Sequence, residues 1–316
     1  MHNSAGKHIL ESDVRGKDGH QLRYVLITAA RNEAMFIGKT LDSMVKQTVK
    51  PIKWVIVSDS STDGTDEIVK EYIARHDWIE LVRMPERSGR DFRGKILAFN
   101  EGYARIKDLK YDIIGNLDAD IMFEKDYISF LLCKFAEHAQ LGVGGTPFRE
   151  GGHQYDFRFS SIEHVSGACQ LFRRECFEEI GGYVPIKEGG EDLVACMTAR
   201  MRGWQTRTFQ EKFCVHNREM GTAMQSGMMV AFRTGYNDYL MGGHPAWQLF
   251  RSVYQMRSRP FIVYGCVLLT GYLWAMAIRA QRPVSMELVA FRRKEQMRRL
   301  RVFFLDLLLP GKHHHQ

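Results

Sequence analysis

Asp118 and Asp120, in the stretch Asn116-Leu117-Asp118-Ala119-Asp120, are two hard oxygen donors separated by one residue. Such a pair suits Mg²⁺ or Mn²⁺, which take one or two carboxylates and complete their shell with substrate phosphates. The preceding run Tyr111-Asp112-Ile113-Ile114-Gly115 reads as a short buried strand, so both carboxylates leave at its carboxyl end. On a strand, a two-residue spacing sends both side chains to one face. Open α/β sheets take their ligands at that end of their strands. Two solvated aspartates at a strand end are the plainer alternative, and the rest of the chain decides between the two.

A ligand crevice of this kind needs a parallel sheet behind it, and the first half of the chain reads as one. Arg23-Tyr24-Val25-Leu26-Ile27-Thr28 is a strand-like run that ends in Ala29-Ala30-Arg31-Asn32-Glu33. Helical periodicity follows through Phe36, Ile37, Leu41, Met44 and Val45 until Pro51 stops it. A second strand, Trp54-Val55-Ile56-Val57, enters the turn-forming stretch Ser58-Asp59-Ser60-Ser61-Thr62-Asp63-Gly64-Thr65. Its Asp and Thr residues are placed to cap a helix from about Asp66 to Arg75. A third strand, Ile79-Glu80-Leu81-Val82, leads through a loop from Pro85 to Gly94 into a helix from Lys95 to Ile106. Repeated strand–helix alternation predicts a doubly wound, largely parallel sheet. Its carboxyl-end loops then gather Glu33, Asp59 and the Asp118/Asp120 pair on one rim, which a purely structural sheet has no need of. Two other readings fail. Asp59-x-Ser61-x-Asp63-Gly64 half-matches a calcium loop, but Lys70 stands where the glutamate belongs and a strand precedes it. Met122 stands where a phosphatase nucleophile motif carries Thr or Val.

At 316 residues and 45% apolar content the chain allows one large or two modest domains. Six scattered cysteines without a C-x-x-C pair indicate neither a zinc site nor a disulfide framework, and predict reduced thiols in the cytosol. No apolar run follows a basic start, so no secretory signal is expected and residues 1–22 read as a mobile arm. The net charge of +7 is unevenly spread: from Arg251 to Lys312 there are 12 Lys/Arg against 3 Asp/Glu, net +9, which leaves −2 elsewhere. A uniformly basic nucleic-acid binder is disfavoured.

Taken together, Ala29-Ala30-Arg31-Asn32-Glu33, then Val57-Ser58-Asp59-Ser60-Ser61-Thr62-Asp63-Gly64-Thr65, then Asp118-Ala119-Asp120 resemble the family 2 glycosyltransferases of the GT-A fold. The resemblance continues through Gly167-Ala168-Cys169-Gln170-Leu171-Phe172-Arg173-Arg174, Phe177-Glu178-Glu179-Ile180-Gly181-Gly182-Tyr183, Gly190-Glu191-Asp192 and Arg200-Met201-Arg202-Gly203-Trp204, and covers roughly Arg23 to Arg218. It implies a Rossmann-like mixed sheet flanked by helices, and a nucleotide-diphospho-sugar donor held with Mn²⁺ or Mg²⁺. Asp59 matches the position that reads the base and Glu33 lies near the nucleoside, with Ala29 and Asn32 beside them on the donor side. Asp118, Ala119 and Asp120 match the segment that holds the ribose and the metal-bridged diphosphate. Lys95, in Gly94-Lys95-x-x-Ala98-Phe99-Asn100, matches a basic group facing the nucleotide, a task that Arg90 or Arg93 could also perform. Asp192, after Glu191, matches the general base, and His216 a downstream metal ligand. His153 and His164 are candidates for the acceptor side. Two departures stand out: Ser58 replaces the usual Asp before the base-reading Asp59, and Ser60 the usual Gly after it. Uridine is the expected base. The Gln-x-x-Arg-Trp motif of processive synthases is absent, so addition of a single sugar is expected.

The carboxyl-terminal region has a separate character. Phe261 to Ile278 carries no charge, and is bracketed by Arg257 and Arg259 before and Arg279 and Arg282 after. As a spanning helix, with the catalytic part in the cytosol, it would put Arg292-Arg293-Lys294 and Arg298-Arg299 outside, against the positive-inside rule. An interfacial or re-entrant segment avoids the conflict, and a helix from Ser285 to Phe304 carries the basic cluster that anionic lipid would attract. A helical extension packed on the catalytic domain is the alternative. The sequence thus predicts a GT-A catalytic domain at residues 23–220 and a helical, basic, membrane-associating region at 221–316. The expected activity is inverting transfer of one sugar to a lipid-linked or glycan acceptor of cell-surface polysaccharide at the cytoplasmic face of the membrane. A nucleotidyltransferase, or a silent nucleotide-binding scaffold on the membrane, are the other readings.

Overall fold

Residues of the run Tyr24–Ala30 alternate between two apolar layers, which makes β1 the middle of a sheet covered on both faces. Leu26 packs with Trp54, Ile56 and the helix residues Ile37, Leu41 and Met44 on one face; Val25 and Ile27 pack with Val55, Val57, Ile96 and Phe99 on the other. The computed structural model describes Val14, Gly19 and residues 21–86, 93–149, 161–217, 227–257 and 261–308. Arg90, His153, Arg259, Lys312 and most of the expected amino-terminal arm lie outside these residues. The chain divides into two units, residues 1–219 and 220–316.

In the first unit β1 is followed by α1 (Ile37–Val45), β2 (Lys53–Ser58), α2 (Thr65–Ile73), β3 (Ile79–Arg83), α3 (Arg93–Ile106) and β4 (Ile113–Leu117). Then come β5 (Ile121–Met122), α4 (Tyr127–Glu137), β6 (Leu141–Gly145), β7 (Phe148–Arg149), β8 (Cys169–Arg173), α5 (Arg174–Glu179), α6 (Glu191–Met201), β9 (Gln205–Thr208) and β10 (Cys214–His216). The seven-stranded sheet has the order β3-β2-β1-β4-β8-β6-β9. β8 pairs antiparallel with both β4 and β6 while the other pairings are parallel, so the sheet is mixed, as the GT-A expectation requires. A second sheet, β5-β10-β7, is built from strands of two or three residues.

Several local expectations shift. The fourth strand is Ile113–Leu117, not 111–115, because Tyr111 and Asp112 lead into it as a bend and Asp112 instead accepts the backbone N–H of Arg23 at 2.7 Å. α1 stops at Val45, before Pro51, and α3 starts at Arg93, before Lys95. The cap of α2 is Gly64, whose φ of +91° only glycine adopts without strain, so neither Asp nor Thr caps the helix. Asp63 accepts the N–H of Thr65 at 3.2 Å instead.

The second unit consists of α7 (Gly227–Leu240), α8 (Pro245–Gln255), α9 (Val263–Ala277) and α10 (Met286–Leu308). The apolar segment 261–278 yields a helix of 15 residues, about 22 Å at roughly 1.5 Å per residue. Among the described residues no helix is long and apolar enough to cross a membrane.

Candidate active site

β1, β2 and β4 run parallel, so their carboxyl ends and the loops beyond them share one rim. Asp118 and Asp120 are not on the strand. β4 ends at Leu117, and both carboxylates sit in the turn between β4 and β5, so a period of two does not set their directions. The turn is held from both sides instead. Thr40 of α1, fully buried, donates its hydroxyl toward the carbonyls of Ala119 at 2.8 Å and Ile121 at 2.9 Å. The Asp118 N–H bonds the Ala168 carbonyl at 2.8 Å, and the Asn217 N–H bonds the Asp120 carbonyl at 2.8 Å.

His216 reaches the same turn. It ends β10, opposite Ile121 of β5, and so lies inside a sheet instead of beyond the last strand. Its Nδ1 is 3.7 Å from Asp120 Oδ1, and one donor atom each from Asp118, Asp120 and His216 lie within 4.8 Å of one another. Two carboxylate oxygens and an imidazole nitrogen at that spacing fit a divalent cation such as Mn²⁺ or Mg²⁺. Lys95 of α3 closes the other side of Asp118, with Nζ 2.6 Å from Oδ1. Burial alone would lower the Lys95 pKa, but the carboxylates of Asp118, Glu191 and Asp192 outweigh it and hold the ammonium raised.

An open cleft of about 280 Å³ is lined by Lys95, Asp118 and His216 together with Gly167, Glu191 and Asp192. α6 begins after Gly190, at a φ of +94°, so its first turn carries both acids. Asp192 is not the cap. Its Oδ1 accepts the Leu193 N–H at 2.7 Å and its Oδ2 the Gly167 N–H at 3.1 Å, with His164 Nε2 3.8 Å away. Glu191 is buried, and desolvation raises its pKa against the opposing charge of Lys95.

Residues 25–164 match the family model "Glycosyl transferase family 2". This stretch is a family 2 glycosyltransferase domain. Poly-beta-1,6-N-acetyl-D-glucosamine synthase of Staphylococcus epidermidis is 26% identical over 175 residues, covering 49% of this chain and 40% of the synthase. The synthase of Staphylococcus aureus strain COL is 24% identical over 201 residues, covering 57% of this chain and 46% of its own length. The chain thus spans less than half of these curated relatives. Among solved structures, the mannosyltransferase PcManGT from Pyrobaculum calidifontis, in complex with GDP-Man and Mn2+, aligns with TM-score 0.57 at 20% identity over 94% of this chain and 84% of its own. S. aureus TarS 1–349 in complex with UDP-GlcNAc aligns with TM-score 0.51 at 15% identity over 86% of this chain and 78% of its own. Both likenesses establish the GT-A-like fold.

The expected site residues fall into two groups, of which Glu191, Asp192 and His216 lie beyond the matched stretch. Lys95, Asp118, Asp192, Glu191 and His216 line the cleft. Ala29 lies near the end of β1, and Asn32, Glu33 and Asp59 belong to the first two rim loops, which are laced together. The Asn32 side chain accepts the Thr62 N–H at 2.9 Å, the Glu33 N–H bonds Thr65 Oγ1 at 2.9 Å, and Arg31 Nη1 lies 3.3 Å from Asp59 Oδ2. Asn32 therefore shapes the loop with its side chain. Three contributors escaped sequence reasoning: the Gly167 N–H, the Arg31 guanidinium and Asn116. Asn116 Nδ2 donates to the Gly167 carbonyl and, at 3.3 Å, to Asp118 Oδ1. A polar residue within an otherwise apolar strand was the signal for Asn116; backbone donors leave none.

Proposed function

We propose that this chain is a metal-dependent, inverting glycosyltransferase that moves one sugar from a nucleotide-diphosphate donor, a UDP-sugar, to a hydroxyl of a cell-surface polysaccharide acceptor. The observation that carries this reading is one cleft lined by Lys95, Asp118, His216 and Asp192, with Asp120 grouped beside Asp118 and His216. The synthase relatives and the UDP-GlcNAc-bound neighbour support the polysaccharide and uridine parts. The acceptor in this reading is lipid-linked and met at the cytoplasmic face of the cell membrane, a part supported by the basic carboxyl-terminal unit.

A divalent cation held by Asp118, Asp120 and His216 would neutralise charge growing on the leaving diphosphate. Asp59 and Arg31 offer an acceptor beside a donor, which matches the imide N–H and carbonyl of uracil. Lys95 keeps a positive charge on the donor side of the cleft. Asp192, fixed by two backbone N–H groups, accepts the proton of the attacking hydroxyl. Attack from the Asp192 side, opposite the diphosphate, inverts the anomeric centre.

Calorimetric titration of UDP and GDP, with Mn²⁺ and again with EDTA, tests the donor half. UDP binding that needs the metal and is lost in Asp120→Ala is the expected result. No metal-dependent binding of either nucleotide would sink the reading.

A further inference from the structure

The second unit exposes much of its apolar surface. Of the 23 large apolar side chains exposed among the described residues, 17 lie in residues 227–308. Its interior holds Asp238, Gln248, Ser252 and Gln296, each less than a tenth exposed, beside apolar residues such as Leu268, Tyr272 and Val289. Asp238 is tied to Arg292 at 2.8 Å and lies 3.8 Å from the partly exposed Arg251, so three helices meet at one buried carboxylate. In water such a distribution is unfavourable twice over, since apolar surface is wetted and polar groups are desolvated.

Its helices also meet as helices do in lipid. A Cβ on Gly235 of α7 would stand 1.9 Å from the Leu268 carbonyl oxygen of α9, one on Gly271 of α9 would stand 2.1 Å from that of Phe232, and one on Gly265 would stand 2.2 Å from that of Ser252. Backbone therefore lies against backbone at α7–α9 and α8–α9, an approach that small residues permit where burial of large side chains is not the driving force. α9 buries the narrow stripe Gly265, Leu268, Gly271, Tyr272 and Ala275 and exposes Val263, Cys266, Leu273, Trp274 and Met276 on its other sides. Arg257 and Arg279, both exposed, bracket it, and Lys294, Arg298 and Arg301 are exposed on α10.

We propose that the exposed face of α9 is a lipid-docking surface that lies in the headgroup–acyl boundary of an anionic bilayer. At about 22 Å the helix is short of a hydrocarbon core of ~30 Å. Lying in the interface suits both its apolar face and its flanking cations, which meet the negative headgroups. Trp274, more than half exposed, is the residue type that settles at that depth. The inference deepens the membrane part of the function proposed above by naming the contact face, and uses no step of sugar transfer.

The test uses the full chain carrying Cys133→Ser, labelled at the exposed Cys266 with an environment-sensitive fluorophore. It is mixed with phosphatidylcholine vesicles, with and without phosphatidylglycerol. The expected result is co-sedimentation with the anionic vesicles, a blue shift of the label, and at least a tenfold loss of binding in Leu273→Glu/Trp274→Glu. Those two sites are exposed, and circular dichroism checks that the variant is folded. Lys294→Glu/Arg298→Glu should weaken binding and its salt dependence together. Equal binding by the Leu273→Glu/Trp274→Glu protein without a label shift would mean adsorption by net charge alone and overturn the proposal. So would a dimer in vesicle-free sedimentation that the same variant abolishes, since a second copy would then cover the face. UDP titration on the same preparations reports the transfer site separately, so either reading can fail while the other stands.

Discussion

The Asp192 carboxylate is fixed in orientation, because each of its oxygens accepts a backbone N–H. Asp192→Asn keeps the volume but removes the proton acceptor. It should leave UDP affinity in Mn²⁺ unchanged while lowering turnover roughly 10²-fold or more; unchanged turnover would remove the base assignment. Glu191 differs although it is the adjacent residue. Burial raises its pKa above the ordinary 4.5, with Lys95 opposing. A carboxyl raised in the folded state contributes its stability below the unfolded value and loses it as pH climbs through the folded one. Glu191→Gln should therefore gain stability relative to wild type as pH rises from about 4 to neutrality, read as urea midpoints across pH. A constant difference would refute the raised pKa.

At the scale of elements, the aspartate turn depends on α1. Thr40→Val keeps the shape of the side chain but strips the Ala119 and Ile121 carbonyls of their shared donor. Leaving such groups buried without a partner should cost about 1–3 kcal/mol by chemical denaturation. Mn²⁺-dependent UDP binding should weaken with it, since the turn then loses its fixed shape; full retention of UDP affinity would show that β10 alone holds it. The parallel half of the sheet was legible because β1 to β4 are apolar runs long enough to show a period, each followed by a helical stripe. β5, β7 and β10 are too short to show one, which is why His216 seemed to follow the sheet when it ends a strand. β6, Leu-Gly-Val-Gly-Gly, lacks the side chains that mark a strand, because Gly142, Gly144 and Gly145 leave room for Trp204, Phe135 and Val165 to close in.

For the whole molecule, the uneven charge read from composition corresponds to a division into two units. The cysteines follow the packing: four are buried, Cys133 is partly so, and only Cys266 is exposed. Burial pushes the Cys176, Cys196 and Cys214 thiols up to about 12. A thiol reagent at neutral pH should therefore titrate one group quickly, Cys133 more slowly, and the other four only on unfolding; several fast thiols would contradict this packing. Composition gave the absence of a disulfide framework, but not which thiol is outside, since that depends on which face of α9 turns away from α7.

The reversed direction of β8 also has a consequence in time. Because β8 runs against β4, its beginning lies beside the end of β4, and Ala168 meets Asp118 there. The cleft is thus assembled from residues spread from Lys95 to His216, and the segment bearing Asp118 and Asp120 leaves the ribosome long before the strand and helix that complete the lining. A growing chain would carry the aspartate turn for about seventy residues before Asp192 follows, at roughly 5–20 residues per second of synthesis. Until then the cleft lacks part of its lining, Glu191 and Asp192 included.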